Sequence, residues 1–207
     1  MEIGLFPLPM VLLPGERVPL HIFEERYKEL IGECLATGGE FGLVLADDKG
    51  MRTAGTTAAV VEVLRRLPDG RMDIVVEGRT RFRIVRLTAG RSFLTAEVEE
   101  LSDEEGAAEP PREEVARCLR AFRALVEAMN EAMEVDLTAE SLAFEIGGRV
   151  AFADPLKQEL LEMRSERDRV RRLTELLEQA REVMRRQRRA QELAAGNGQV
   201  SDEEEGG

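Results

Sequence analysis

Tryptophan is absent from this chain of 207 residues, and the aromatic fraction is only 4%, with a single tyrosine and a single histidine. The hydrophobic fraction of 43% is still ordinary for a globular protein, so the core must be assembled from Leu, Val, Ala and Met. Cysteine occurs only at Cys34 and Cys118, far apart and in no CxxC spacing. A disulfide framework and a metal knuckle are therefore not indicated. No apolar run is long enough to span a bilayer: the apolar start MEIGLFPLPMVLLPG is broken by Pro7, Pro9 and Pro14, and it lacks the basic region of a signal peptide. A reducing cytoplasm is the expected location. Lysine stands only at Lys28, Lys49 and Lys157, so arginine supplies nearly all of the 29 cationic side chains, against 41 carboxylates. The net charge of −12 argues against nucleic acid as a partner, because such binding draws on clustered Lys and Arg.

What is present changes character near residues 101–111. Before that point the chain reads as strands. Ile3–Leu8 and Arg17–Ile22 are short extended runs, and Glu24–Ala36 then shifts to helical spacing through Tyr27, Leu30, Ile31, Cys34 and Leu35, stopped by Thr37-Gly38-Gly39. Phe41–Ala46 and Thr56–Leu67 follow, and Pro68-Asp69-Gly70 forms a turn that returns Met72–Val76 as a hairpin partner. Gly78 marks a bend or bulge, and Arg81–Leu87 and Phe93–Leu101 alternate again. Short strands at turn-punctuated intervals predict a closed or half-closed β-barrel, with one helix inserted after the second strand.

After an acidic Gly- and Pro-bearing stretch the pattern turns helical. Arg112–Met133 places Val115, Leu119, Phe122, Val126 and Met129 on one face. Thr138–Phe152 reads as a second helix with Thr138 as its cap. Asp154-Pro155 opens a third, with Asp as cap and Pro in the first turn, running as one long helix or two to about Leu193. The fold class is thus α+β, divided into a β subdomain 1–101, a linker 102–111, a helical bundle subdomain 112–195 that ends in a long helix, and a disordered acidic tail 196–207.

Two segments resemble the Lon amino-terminal domain family. The opening LFPLPMVLLPGERVPLHIFEERY carries an apolar strand, a Pro-Gly corner, a second strand and a helix start at Arg26-Tyr27. The middle AGTTAAVVEVLRRLPDGRMDIVVEGRTRFRI carries Gly-Thr, a long strand, the Leu-Pro-Asp-Gly hairpin, Glu-Gly and Arg-Phe, in the family's order over about eighty residues. The later DPLKQELLE is similar to the family's helical half. The resemblance implies a PUA-like β pseudo-barrel followed by the helical bundle, and a free-standing copy of a module that, in full-length Lon proteases, helps select unfolded or tagged substrates. It implies binding to unfolded or client proteins, or to a protease partner. The alternative, by analogy with other PUA-like barrels, is an RNA- or small-ligand-binding protein.

No catalytic residues, cofactor or metal are expected. The sequence has no G-x-x-x-x-G-K-[ST] loop to cradle phosphates, and no segment similar to the one that carries the Lon Ser–Lys dyad. His21 lacks an evident nucleophile or orienting carboxylate and is read as packing. Glu24, Glu25, Glu29 and Glu33 lie on one helix as a solvated face rather than as converging metal ligands. The cluster Arg185, Arg186, Arg188 and Arg189 is read as complementing the dipole of its helix end. The apolar run Met10–Leu13, between Pro9 and Pro14, is the candidate exposed patch. Candidate partner-binding residues are therefore Met10, Leu12 and Phe23, with Glu25, Arg26 and Glu29 on the neighbouring helix.

Overall fold

The computed structural model describes residues 1–197, with side chains through Gln191. The elements are β1 (Glu2–Leu8), β2 (Arg17–Ile22), α1 (Glu25–Thr37), β3 (Phe41–Asp47), β4 (Gly50–Arg66), β5 (Met72–Thr88), β6 (Thr95–Glu100), α2 (Arg112–Met129), α3 (Leu142–Gly147), α4 (Asp154–Glu162) and α5 (Glu166–Asn197). Of the tail expected at 196–207, Gly196 and Asn197 close α5 and the rest lies outside the described residues. By packing, the chain forms two compact units that do not follow the expected division. One takes Met1–Glu109 together with Val135–Arg169, and the other takes Pro110–Glu134 together with the chain from Val170 on.

The first unit holds all six strands, hydrogen-bonded in the order β2-β5-β4-β3-β1-β6, and β6 closes the ring by pairing with β5. This is the expected α+β pseudo-barrel with α1 as its one insertion. The 17-residue β5 makes closure possible. Its first half pairs with β2 from Arg17↔Glu77 to Ile22↔Met72, and its second half pairs with β6 from Phe82↔Glu100 to Thr88↔Thr95. A strand that long must bend to serve both, and bulges supply the bend. Beside Gly78, three steps of β5 (Arg81 to Gly78) face two of β4 (Thr56 to Ala58), so the irregularity expected there is present, and Thr57 Oγ1 accepts from the Thr80 amide at 3.1 Å. The ring encloses Ile3, Leu5, Val44, Phe82, Ala96 and Val98. A second cluster packs α1 against the strands through Tyr27, Leu30, Ile31, Phe41, Ile74 and Val76.

Two expectations in the helical half, the Thr138–Phe152 helix and the Asp154 cap, are corrected, and of one long helix or two the second is found. The helix predicted over Thr138–Phe152 shrinks to Leu142–Gly147, capped by Ser141, whose hydroxyl accepts from the Phe144 amide. Thr138 instead donates to Asp136 in a local turn, the conformation in which Asp competes best with helix. Asp154 does not cap α4. Its carboxylate accepts from the Val11 amide at 2.9 Å, while Ala153 holds the cap position. The long helical pattern breaks at Met163–Ser165 into α4 and α5. The freed carbonyls of Leu161 and Met163 accept from Arg81, at 2.9 and 2.6 Å, and Ser165 Oγ accepts from the Asp168 amide at 3.3 Å. Side-chain partners thus satisfy groups that a continuous helix would have paired.

The second unit is built on α2 and the part of α5 after Arg169. The buried face of α2 is Cys118, Phe122, Leu125 and Val126. It shares Phe122 and Val126 with the expected stripe, whose other members Val115, Leu119 and Met129 are half-buried. Ion pairs join the two helices, with Arg117 donating twice to Glu178 and Arg171 twice to Glu114.

Candidate client-binding surface

The Pro-Gly corner is a latch rather than an exposed patch. Gly78 on β5 leaves room for it: a Cβ there would lie 2.2 Å from the Leu13 carbonyl oxygen. The Gly15 amide donates to the Gly78 carbonyl and the Gly78 amide to the Glu16 carbonyl, both at 2.9 Å, and the buried Thr56 hydroxyl donates to the Leu12 carbonyl at 2.6 Å. Glu16 accepts from the Leu13 amide and pairs with Lys157 of α4. Leu12 is consequently 1% exposed and is unavailable as a contact. Met10 is half-buried against the same core. Leu12 is buried because the sequence-distant β4 and β5 close over the corner.

Phe23 is in the opposite situation. It follows the buried Ile22 at the end of β2 and precedes Glu24, which holds the cap position of α1, so the chain turns there with the ring outward, 59% exposed. The His21 ring stacks beside it, centroids 5.9 Å apart. His21, read from the sequence as packing, is itself at the surface and meets Asp73 of β5 at 2.5 Å. Arg26 pairs with Glu24 and lies 4.6 Å over the Tyr27 ring. Burial pushes the Tyr27 hydroxyl above its ordinary value even though Arg26 pulls it down. Glu25 and Glu29 are exposed but engaged, Glu25 with Lys28 and Glu29 with the Ser92 hydroxyl. The six candidates therefore do not form one patch: Phe23 and Arg26 lie together, Glu25 and Glu29 continue along α1, Leu12 belongs to the core and Met10 is half-buried against it.

Sequence reasoning misses a second group. β3 pairs with β4 only as far as Ala58, yet β4 runs on to Arg66 with β5 as its sole ladder partner. In that stretch two residues of β4 span one of β5 at Val60–Glu62 and again at Val63–Arg65. The extra residues, Val61 and Leu64, are turned out, and Leu64 is 53% exposed. Bulges commonly re-aim side chains in this way. Phe23 follows the rung Ile22–Met72–Arg66, and Leu64 precedes Arg65 of the rung His21–Asp73–Arg65. Both apolar side chains thus stand toward the same end of the β2–β5–β4 sheet, separated by two strand spacings, roughly 10 Å, across it and by roughly 8 Å along it. The only advance sign was arithmetic: a long fourth strand opposite a third strand too short to cover it.

The unit is tied together by a buried charge cluster. Asp103 accepts from Arg169 with both oxygens, at 2.5 and 2.6 Å, and from Arg81 at 2.6 Å. Both guanidinium groups lie over the Phe144 ring. Burial pushes the Asp103 carboxyl up, but its hydrogen bonds to Arg169 and Arg81 and their charge outweigh this and hold it below its ordinary value. The first residues of the stretch expected as a linker are held here, since the Glu104 amide donates to the Arg164 carbonyl and Arg164 to the Ser102 carbonyl. Among the described residues no group of His, Cys, Asp and Glu is arranged to hold a metal ion, and no helix is long and apolar enough to cross a membrane.

A family model for the substrate-binding domain of the ATP-dependent protease La (LON) matches residues 2–179. The Lon proteases of Flavobacterium johnsoniae and Porphyromonas gingivalis are 29% and 30% identical over 104 and 102 residues. Each alignment covers 45% of this chain and 12% of the relative, so the likeness concerns a small part of those proteins. Among solved structures, a Lon N-terminal domain protein from Xanthomonas campestris superimposes with a TM-score of 0.64 at 24% identity, over 84% of this chain and 96% of its own. The N-terminal domain of the Mycobacterium avium complex Lon protease gives 0.62 at 20% identity, over 86% and 98%. These structures share the fold. With one family model spanning nearly its whole length, the chain belongs to the LON substrate-binding domain family.

Proposed function

We propose that this protein is a non-catalytic binding module that holds exposed apolar segments of unfolded client proteins, working in the cytoplasm, alone or docked on a protease. The observation that carries the reading is the exposed pair Phe23 and Leu64 at one end of the β2–β5–β4 sheet, in a member of a substrate-binding family. An unfolded chain offers apolar side chains, and covering them together with Phe23 removes apolar surface from water at roughly 25 cal/mol per Å². The polar groups around Phe23 are already partnered, His21 with Asp73 and Arg26 with Glu24, so a client need not strip an isolated group of water. Recognition of this kind tolerates many sequences, because it asks for apolar area and not for a particular donor set.

Phe23→Ser combined with Leu64→Ser is expected to weaken binding of an unfolded model protein by about tenfold, the equivalent of about 1.4 kcal/mol of lost contact. Both side chains are mostly in solvent, so the thermal midpoint should stay within a degree or two, as for surface substitutions generally. Fluorescence anisotropy with a labelled, permanently unfolded protein measures the first quantity and thermal melting the second. Unchanged affinity in the double variant would remove this surface from the reading.

A further inference from the structure

The arginine-rich end of α5, read from the sequence as complementing its own helix end, is placed differently by the structure. α5 continues to Asn197, so Arg185–Arg189 are not in its last turn. Arg188 instead donates to the Ala128 carbonyl at the end of α2. Within this unit, α2 and α5 flank a concavity of about 340 Å³ lined by Arg117, Arg120, Arg181, Arg185, Glu178 and Glu182, with Ala121 and Ala124 also in its wall. The two carboxylates are used: Glu178 by Arg117, and Glu182 by Arg185 and Arg186. Among the described residues Arg120 and Arg181 make no ion pair and are exposed. A protein of net charge −12 thus carries one concave surface where cations exceed carboxylates and two guanidinium groups await anions.

We propose that this groove is a docking site for an acidic polypeptide segment. A guanidinium presents a planar fork matched to a carboxylate, and such pairs are the strong, oriented kind. Alanines in the wall leave space for a peptide backbone to lie close. Nucleic acid suits the groove less well. Single strands are held by aromatic stacking as well as by cations, and neither an aromatic ring nor a lysine lines this concavity. The groove shares no residue with the apolar surface at Phe23 and would serve attachment to a partner with an acidic segment.

The test uses the full chain and a fluorescein-labelled oligoglutamate peptide of about eight residues, titrated at about 50 and 200 mM salt. The expected result is saturable binding that weakens with salt and falls at least tenfold (about 1.4 kcal/mol) in Arg120→Glu combined with Arg181→Glu. Both positions are exposed, and an unchanged circular dichroism melt shows that the variant is folded. Arg65→Glu with Arg66→Glu, on β4, should leave binding as it is. Absence of binding, equal binding by both charge-reversal variants, or tighter binding of an oligouridylate that the Arg120/Arg181 variant abolishes would each overturn the proposal.

Discussion

Replacing Asp103 with alanine is expected to lower the stability of the folded chain by about 3 kcal/mol, the lower end of what breaking a buried ion pair costs. Arg169 and Arg81 are almost wholly buried, at 2% and 7% exposure, and Asp103 is the carboxylate they share. Its removal leaves two like charges over the face of the same Phe144 ring. Glu166 still answers Arg169, and Asp103 is itself about one-third exposed, so the larger values of that range do not apply. The same cluster sets an acid limit. The folded Asp103 value is depressed below its ordinary 3.8, so its stabilisation is complete above that pH and is lost as pH falls through the lower, folded value. Urea unfolding of the parent and of Asp103→Ala between neutral pH and about pH 3 measures both effects. The gap between the two proteins should narrow at the acid end. A neutral-pH difference under about 1 kcal/mol, the worth of an exposed pair, would show that the cluster is not desolvated.

Gly78→Ala should be at least as severe. Overpacking usually costs about 1–3 kcal/mol because side chains can shift. Here the added methyl would meet the backbone of Leu13, at 2.2 Å from oxygen and 3.0 Å from carbon. The corner cannot yield without giving up the Gly15–Gly78 and Gly78–Glu16 hydrogen bonds and uncovering Leu12 and Leu13. A loss above about 3 kcal/mol is expected, with faster amide exchange at Leu13–Glu16. Gly15→Ala is the comparison. Gly15 has φ +79 but open space around it, so only conformational strain of about 1–2 kcal/mol applies. If the two variants melt together, close approach is not what Gly78 provides.

Much of this fold was legible in the chain. The Pro-Gly corner, the Pro68-Asp69-Gly70 hairpin and the period change after Ile22 each carry their own local chemistry, and all three stand where expected. What failed depended on distant residues. An apolar run between two prolines looks the same whether it is core or surface, and Leu12 is buried by what Thr56 and Gly78 do. The apolar pattern after Asp154 fits one helix or two, because Arg81, far upstream, supplies the donors that end α4. Val61 and Leu64 were hidden because a bulge shifts the period of two by one residue without changing composition. Phe23 is exposed because a single aromatic between a strand end and a helix cap has no element to bury it.

The proposed function requires the protein to distinguish unfolded from folded chains by their exposed apolar surface. Its most direct test titrates the intact protein with one model protein in two forms, native and reduced-alkylated, so that sequence and charge are nearly held constant. The expected result is saturable binding of the unfolded form, little or none of the native form, persistence of that binding at high salt as apolar contact requires, and recovery of the bound chain uncut. Equal affinity for the two forms, or binding of neither, would contradict it.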